Sequence, residues 1–162
     1  MLCLPSWRRG SQTVCLLCWH PRSKLMTDIF SRKKRSQIMA SVKGRDTLPE
    51  MLVRNCLRRL KCKYRSNVRL INGTPDIVLV GQKKLIFVHG CFWHGHKRCP
   101  RSKRPTANRS FWNKKLDGNI ERDKRFCREL RLMNWKVLVV WECETRDSKK
   151  LLRKIERFLN ET

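Results

Sequence analysis

Apolar positions in this chain recur with two periods, and the switches between them mark its elements. Ser31 can cap a basic helix expected over 31–42, with Ile38 and Val42 on one face, before Gly44-Arg45-Asp46 breaks the pattern. Thr47-Leu48-Pro49-Glu50 is a capping box with proline in the first turn, and Val53, Cys56, Leu57 and Leu60 follow at helical spacing. The reading then changes to strands. Residues 64–70, 76–80 and 85–88 are expected to form a three-stranded meander, with turns at Asn72-Gly73 and Gly81. Ser110 can cap a long charged helix reaching about Met133 despite Gly118; 136–141 is a β-branched strand; and 151–159 is an amphipathic helix with Leu152, Ile155, Phe158 and Leu159 inward. The order α-α-β-β-β-α-β-α predicts an α/β fold, a mixed β-sheet flanked by helices.

Composition turns this fold toward a polyanion. The chain carries 39 Lys plus Arg against 13 Asp plus Glu in 162 residues, a net charge of +26, and self-repulsion on that scale calls for a negatively charged partner. Nucleic acid is favoured. A membrane is not expected, because no apolar run approaches the roughly 20 residues of a spanning helix and the basic residues are spread along the chain. Hydrophobic residues at 40% suffice for one core, so a single domain is expected over 27–162. Residues 1–26 show no period and read as a disordered extension or an upstream start before Met26. Their apolar run, 14–19, is shorter than the roughly 7–15 residues of a signal core. Cys15, Cys18 and His20 lack a convincing fourth zinc ligand nearby. Nine irregularly spaced cysteines, an odd number, fit a reducing cytoplasm better than a disulfide framework.

The densest chemistry lies in 88–99, where three of the four histidines accompany Cys91, Cys99 and Phe92-Trp93. Cys91-x4-His96-x2-Cys99 offers three zinc ligands in one loop, and Cys143, directly after the last strand, is a plausible fourth. Such a closed set would be structural, stapling a polar loop to a strand end. His94 could replace His96, and Cys143 could instead be a buried core thiol. Among the remaining residues, Asp76 is the best hard-oxygen ligand for Mg²⁺. Adjacent antiparallel strands would bring it toward His89, with His94 five residues on. A carboxylate-bound Mg²⁺ and an imidazole suffice for phosphodiester hydrolysis.

Together, His89-Gly90-Cys91-Phe92-Trp93-His94, Pro75-Asp76-Ile77-Val78, Asn119-Ile120-Glu121-Arg122-Asp123, Val140-Trp141-Glu142-Cys143 and Arg45-Asp46-Thr47-x-x-Glu50 resemble the very short patch repair endonuclease family. The resemblance runs from about Ser31 to Cys143. It implies a restriction-endonuclease-like fold and an enzyme that nicks DNA 5′ of a thymine mispaired with guanine after deamination of 5-methylcytosine. By position it implies Asp76 as the Mg²⁺ ligand with the backbone carbonyl of Val88, which stands where a relative has threonine. It also implies His89, His94 and Glu50 as active-site residues, although the capping box alone accounts for Glu50. Zinc goes to Cys91, His96, Cys99 and Cys143, with one extra residue between His96 and Cys99. Phe92 and Trp93 would intercalate from one groove and Met39 from the other; Met39 equally suits a core position at helical spacing with Val42. The basic residues Arg32, Lys33, Lys34, Arg35, Lys97, Arg98, Arg101, Lys103 and Arg104 would hold phosphates.

The implied partners are double-stranded DNA with a T·G mismatch, mismatch-repair proteins and, functionally, a cytosine-5 methyltransferase. The implied setting is a prokaryotic cytoplasm, acting at the nucleoid, and a monomer is expected. Two other classes fit the same residues. A restriction- or phage-type nuclease would cut matched DNA, and a non-enzymatic zinc DNA-binding module would bind without dependence on Asp76 or Mg²⁺.

Overall fold

The computed structural model describes residues 33–34, 36–37, 44–69 and 74–161. Lys33, Lys34, Ser36 and Gln37 are helical and exposed, whereas Met39, Val42 and the Asn72-Gly73 turn lie outside the described residues. The elements are α1 (Leu48–Arg59), β1 (Arg65–Ser66), β2 (Ile77–Leu79), β3 (Lys84–His89), α2 (Arg109–Leu132), β4 (Lys136–Trp141) and α3 (Ser148–Asn160). The strands form one sheet in the order β1-β2-β3-β4, with two antiparallel pairings followed by a parallel one. The expected mixed sheet flanked by helices is observed. Because β3 and β4 run parallel, the chain between them must cross over, and α2 is that crossover.

Both sheet faces are covered, which is why β2 and residues 85–88 of β3 are continuously apolar rather than alternating. Ile77, Leu79, Ile86 and Val140 pack with Val53 and Leu57 of α1 and with Leu151, Ile155 and Phe158 of α3. On the other face Val78, Leu85 and Phe87 meet Cys127 and Leu130 of α2. Each fully buried Leu or Ile contributes roughly 1.5–3 kcal/mol. Two lysines fasten the last helix: the buried Lys84 Nζ donates to the Leu159 carbonyl at 2.5 Å and Lys136 Nζ to that of Glu161 at 3.1 Å. Cations suit a helix C-terminus, where carbonyls are unsatisfied.

Several boundaries differ from expectation. β1 is two residues long rather than seven, because Asn67 turns into the left-handed region (φ 51) with its N–H on the Asp76 carbonyl. β2 stops at Leu79, where Val80 enters a 3₁₀ turn. α2 starts at Arg109 after a left-handed Asn108, so Ser110 lies inside the helix rather than capping it. α3 starts three residues early because the Asp147 carboxylate accepts the N–H groups of Lys149 and Lys150. Among the described residues no helix is long and apolar enough to cross a membrane.

Candidate active site and metal centre

Asp76 stands just before β2, and the register Ile77↔Ile86 sets it beside the end of β3, where the Val88 N–H donates to its Oδ2 at 2.7 Å. Burial raises the Asp76 carboxyl to about 6, with the Glu50 charge adding to the rise and the Val88 N–H and His94 opposing it. Glu50 is buried, and its oxygens accept the Asp46 N–H at 3.0 Å, the Thr47 N–H at 3.4 Å, the Thr47 hydroxyl at 2.7 Å and the Arg54 guanidinium at 3.1 Å. It is therefore a capping residue whose charge also reaches Asp76. Both line a cleft of about 540 Å³ together with Val88, His89, Trp93, His94, Asp123 and Glu142. Four of the chain's 13 carboxylates thus face one cavity of a strongly basic protein, an arrangement that suits a cation.

His89 closes β3 and stacks on His94, ring centroids 4.0 Å apart and planes within 9°. Burial, then the neighbouring His94, lowers the His89 pKa to about 4, so it is neutral near pH 7. His94 Nδ1 lies 2.5 Å from Oδ2 of Asp123 on α2. The same helix face clasps the loop at two further points. Asn119 Nδ2 donates to the Trp93 carbonyl at 3.2 Å, and Ile120 sits against Gly95, which has φ +62 and no room for a Cβ. Asn119, Ile120 and Asp123 thus form one clamp, since residues three and four apart share a helix face.

Asp123 belongs to the Asn119–Asp123 motif but has no role assignable from the sequence alone; its i, i+4 relation to Asn119 is the local signal that places both on one helix face. His89, His94 and Asp123 also bring ligand atoms within 4.8 Å. The imidazole planes are parallel, however, so their in-plane lone pairs do not converge on one ion. The arrangement suits proton handling.

Beyond His94 the loop gathers Cys91, His96 and Cys99, and the 3₁₀ turn after β4 brings Cys143, with all four ligand atoms within 4.8 Å. His96, rather than His94, belongs to this set. Its Nδ1 is 3.6 Å from Cys91 Sγ and 3.3 Å from Cys143 Sγ. The N···S edge of a tetrahedral zinc site, from Zn–S of about 2.3 Å and Zn–N of about 2.0 Å, is about 3.5 Å. The donors fit that ion in type and spacing. Burial pushes the Cys91 thiol up to about 12 and raises Cys143, whereas for Cys99 desolvation is outweighed by the Arg101 N–H and the neighbouring thiols, which lower it; a bound cation would stabilise all three as thiolates. Glu142 secures the neighbourhood, accepting the Cys91 N–H at 3.4 Å and the Arg101 guanidinium at 2.7 Å.

Phe92 and Trp93 are half-buried and pack edge-on, centroids 5.0 Å apart. Both also meet the buried Trp112 of α2, at 5.6 and 6.1 Å, with the exposed Phe111 beside it. This support from α2 was not foreseen. Two of the expected phosphate-binding arginines are already engaged: Arg101 pairs with Glu142, and Arg104 with Asp117 and Asn113. Lys97, Arg98 and Lys103 are exposed, while Arg32 and Arg35 lie outside the described residues.

A family model for the DNA mismatch endonuclease Vsr matches residues 27–101. The type II nicking enzyme V.NmeAIP of Neisseria meningitidis is 41% identical over 136 residues, covering 84% of this chain and 96% of that protein. The chain belongs to the Vsr endonuclease family. The DNA mismatch endonuclease Vsr of Escherichia coli is 36% identical over 126 residues, 78% of this chain and 80% of its own. Among solved structures, the catalytic domain of homing endonuclease I-Bth0305I matches with a TM-score of 0.50 and 25% identity, covering 70% of this chain and 94% of that one. A member of the Vsr family is a DNA endonuclease, a hydrolase whose partner is DNA. The resemblance read from the sequence is thus borne out at the level of family, fold and reaction class.

Proposed function

We propose that this Vsr family member nicks one strand of duplex DNA on the 5′ side of the thymine in a T·G mismatch left by 5-methylcytosine deamination, initiating very short patch repair. The observation that carries the chemistry is the His94–Asp123 pair stacked on His89 in the cleft that holds Asp76. The names of the family and of the E. coli relative support mismatch recognition, and that of the Neisseria relative supports single-strand cutting.

In this reading Asp76 and the Val88 carbonyl would hold Mg²⁺, which when bound would offset phosphate charge. The Asp123 carboxylate holds Nδ1–H of His94, leaves Nε2 to take a proton from water, and stabilises the imidazolium that results. His89 stays neutral and presents an N–H toward the phosphate. Glu50 orders the entry to α1 and adds negative charge beside Asp76. Cys91, His96, Cys99 and Cys143 would hold a structural Zn²⁺ that closes the loop carrying His94. Phe92 and Trp93, with Met39 from the other groove, wedge into a base step weakened by the mismatch, where unstacking costs roughly a few kcal/mol. The protein acts as a monomer in the cytoplasm, alongside a cytosine-5 methyltransferase and mismatch-repair proteins.

The test is to map products on a duplex labelled on both strands, with zinc-replete protein and Mg²⁺ present or omitted. One Mg²⁺-dependent nick 5′ of the mismatched thymine is expected. Cutting of both strands would point to a restriction-type enzyme, and binding without cutting to a DNA-binding module.

A further inference from the structure

Among the described residues β4 forms an open edge of the sheet. The Lys136 N–H donates to the Lys83 carbonyl at 2.9 Å, so alternation turns the peptide groups of Lys136, Leu138 and Val140 toward β3 and those of Val137, Val139 and Trp141 outward. Two of the outward groups are taken by one ion pair. The Trp141 N–H donates to Glu144 Oε2 at 2.8 Å, Lys154 Nζ donates to the Val139 carbonyl at 3.1 Å, and Lys154 and Glu144 meet at 2.6 Å. This pair stands where the peptide group of a neighbouring strand would, and it blunts the half of the edge nearest the catalytic cleft.

The other half is not blunted. There the N–H and C=O of Val137 face a groove of about 780 Å³ between the end of α2 and α3, with the outward Val139 N–H next along the edge. Arg131, Lys136, Lys154 and Arg157 line it with Glu161 as the one acidic lining residue and Phe158 on its wall, Lys154 being paired with Glu144 outside the groove. We propose that this groove binds an extended acidic segment of a partner protein by adding it as a strand along β4. Edge peptide groups supply the main-chain hydrogen bonds, and Arg131 and Arg157 select for carboxylates, since Lys136 and Lys154 are already bonded to the Glu161 carbonyl and to Glu144. A phosphodiester strand could meet the cations but offers no alternating N–H and C=O groups. The groove lies at the Lys136 end of β4, opposite the Trp141 end that borders the cleft, so peptide and DNA can be held together.

The test is fluorescence anisotropy of a labelled peptide of alternating valine and glutamate with the full-length protein, against the same peptide N-methylated at every second residue. Val137→Pro removes an outward N–H at a position where an edge strand tolerates proline; Arg157→Glu reverses one selecting charge. Each of these three changes should weaken binding at least about ten-fold. A saturating DNA duplex should leave peptide binding unchanged, and DNA cleavage by the two variants should match wild type. Failure of wild type to bind, binding that survives N-methylation, or displacement of the peptide by DNA would each overturn the proposal. The peptide comparison does not depend on how either variant folds.

Discussion

The indole of Trp141 lies flat on the imidazole of His96, ring centroids 4.2 Å apart and planes within 5°. It also meets His89 edge-on at 5.5 Å. One side chain therefore walls both the thiol cluster and the imidazole pair. Trp141→Leu is expected to cost about 2 kcal/mol of stability, to speed zinc release to a chromophoric chelator, and to slow nicking. Trp141→Phe should retain most of all three. Equal zinc retention in wild type and Trp141→Leu would show that the stack does not support the metal loop.

Asp123→Asn keeps the shape of the clamp on His94 but removes its charge. The rate of cleavage should fall by about 10²-fold or more, with zinc content and thermal stability close to wild type. Single-turnover nicking measures this, and an unchanged rate would remove Asp123 from the chemistry.

Local signals explain why some of this site was legible in the sequence. The capping box at Thr47–Glu50, the apolar face of α1 and the uninterrupted apolar run of β3 specify their elements without long-range information. The zinc-type spacing of Cys91, His96 and Cys99 is likewise contained in one loop, and Cys143 was reachable because it follows the last strand directly. Asp123 was not assigned, because its partner His94 lies 29 residues away and their meeting depends on how α2 docks across the loop. Trp112 escaped for the same reason: it supports Phe92 and Trp93 from another element. β1 was overextended because the left-handed turn at Asn67 is set by its bond to Asp76 across the sheet.

The raised Asp76 pKa fixes two opposite pH effects. Its folded value of about 6 exceeds the roughly 3.9 of an unfolded aspartate, so the folded state holds the proton more tightly. In zinc-replete protein without Mg²⁺, this group should add stability as pH falls from about 6 toward about 4, and Asp76→Asn should raise the melting temperature at pH 7. Cation binding needs the carboxylate, so Mg²⁺ affinity and cleavage should decline below about pH 6. Isothermal titration with Mg²⁺ across this range checks the second effect, and a pH-independent affinity would contradict it.

Gly95 faces Ile120 so closely that a Cβ there would stand 2.5 Å from Cδ1, and its φ of +62 disfavours any other residue. Gly95→Ala should cost about 1–2 kcal/mol from backbone conformation alone, plus the clash. Adding Ile120→Ala should relieve the clash and recover only part of the loss. Thermal melts of the three proteins would reveal this non-additivity; simple addition would mean that the loop and α2 do not pack as described.

The most direct measurement is Mg²⁺-dependent cleavage of otherwise identical duplexes carrying T·G, T·A or C·G at one position, using wild type and Asp76→Asn at equal zinc content. A single nick confined to the thymine strand of the T·G duplex, and absent from the variant, is expected. Cleavage of the matched duplexes at the same rate, or cleavage that persists in Asp76→Asn, would contradict mismatch nicking from this cleft.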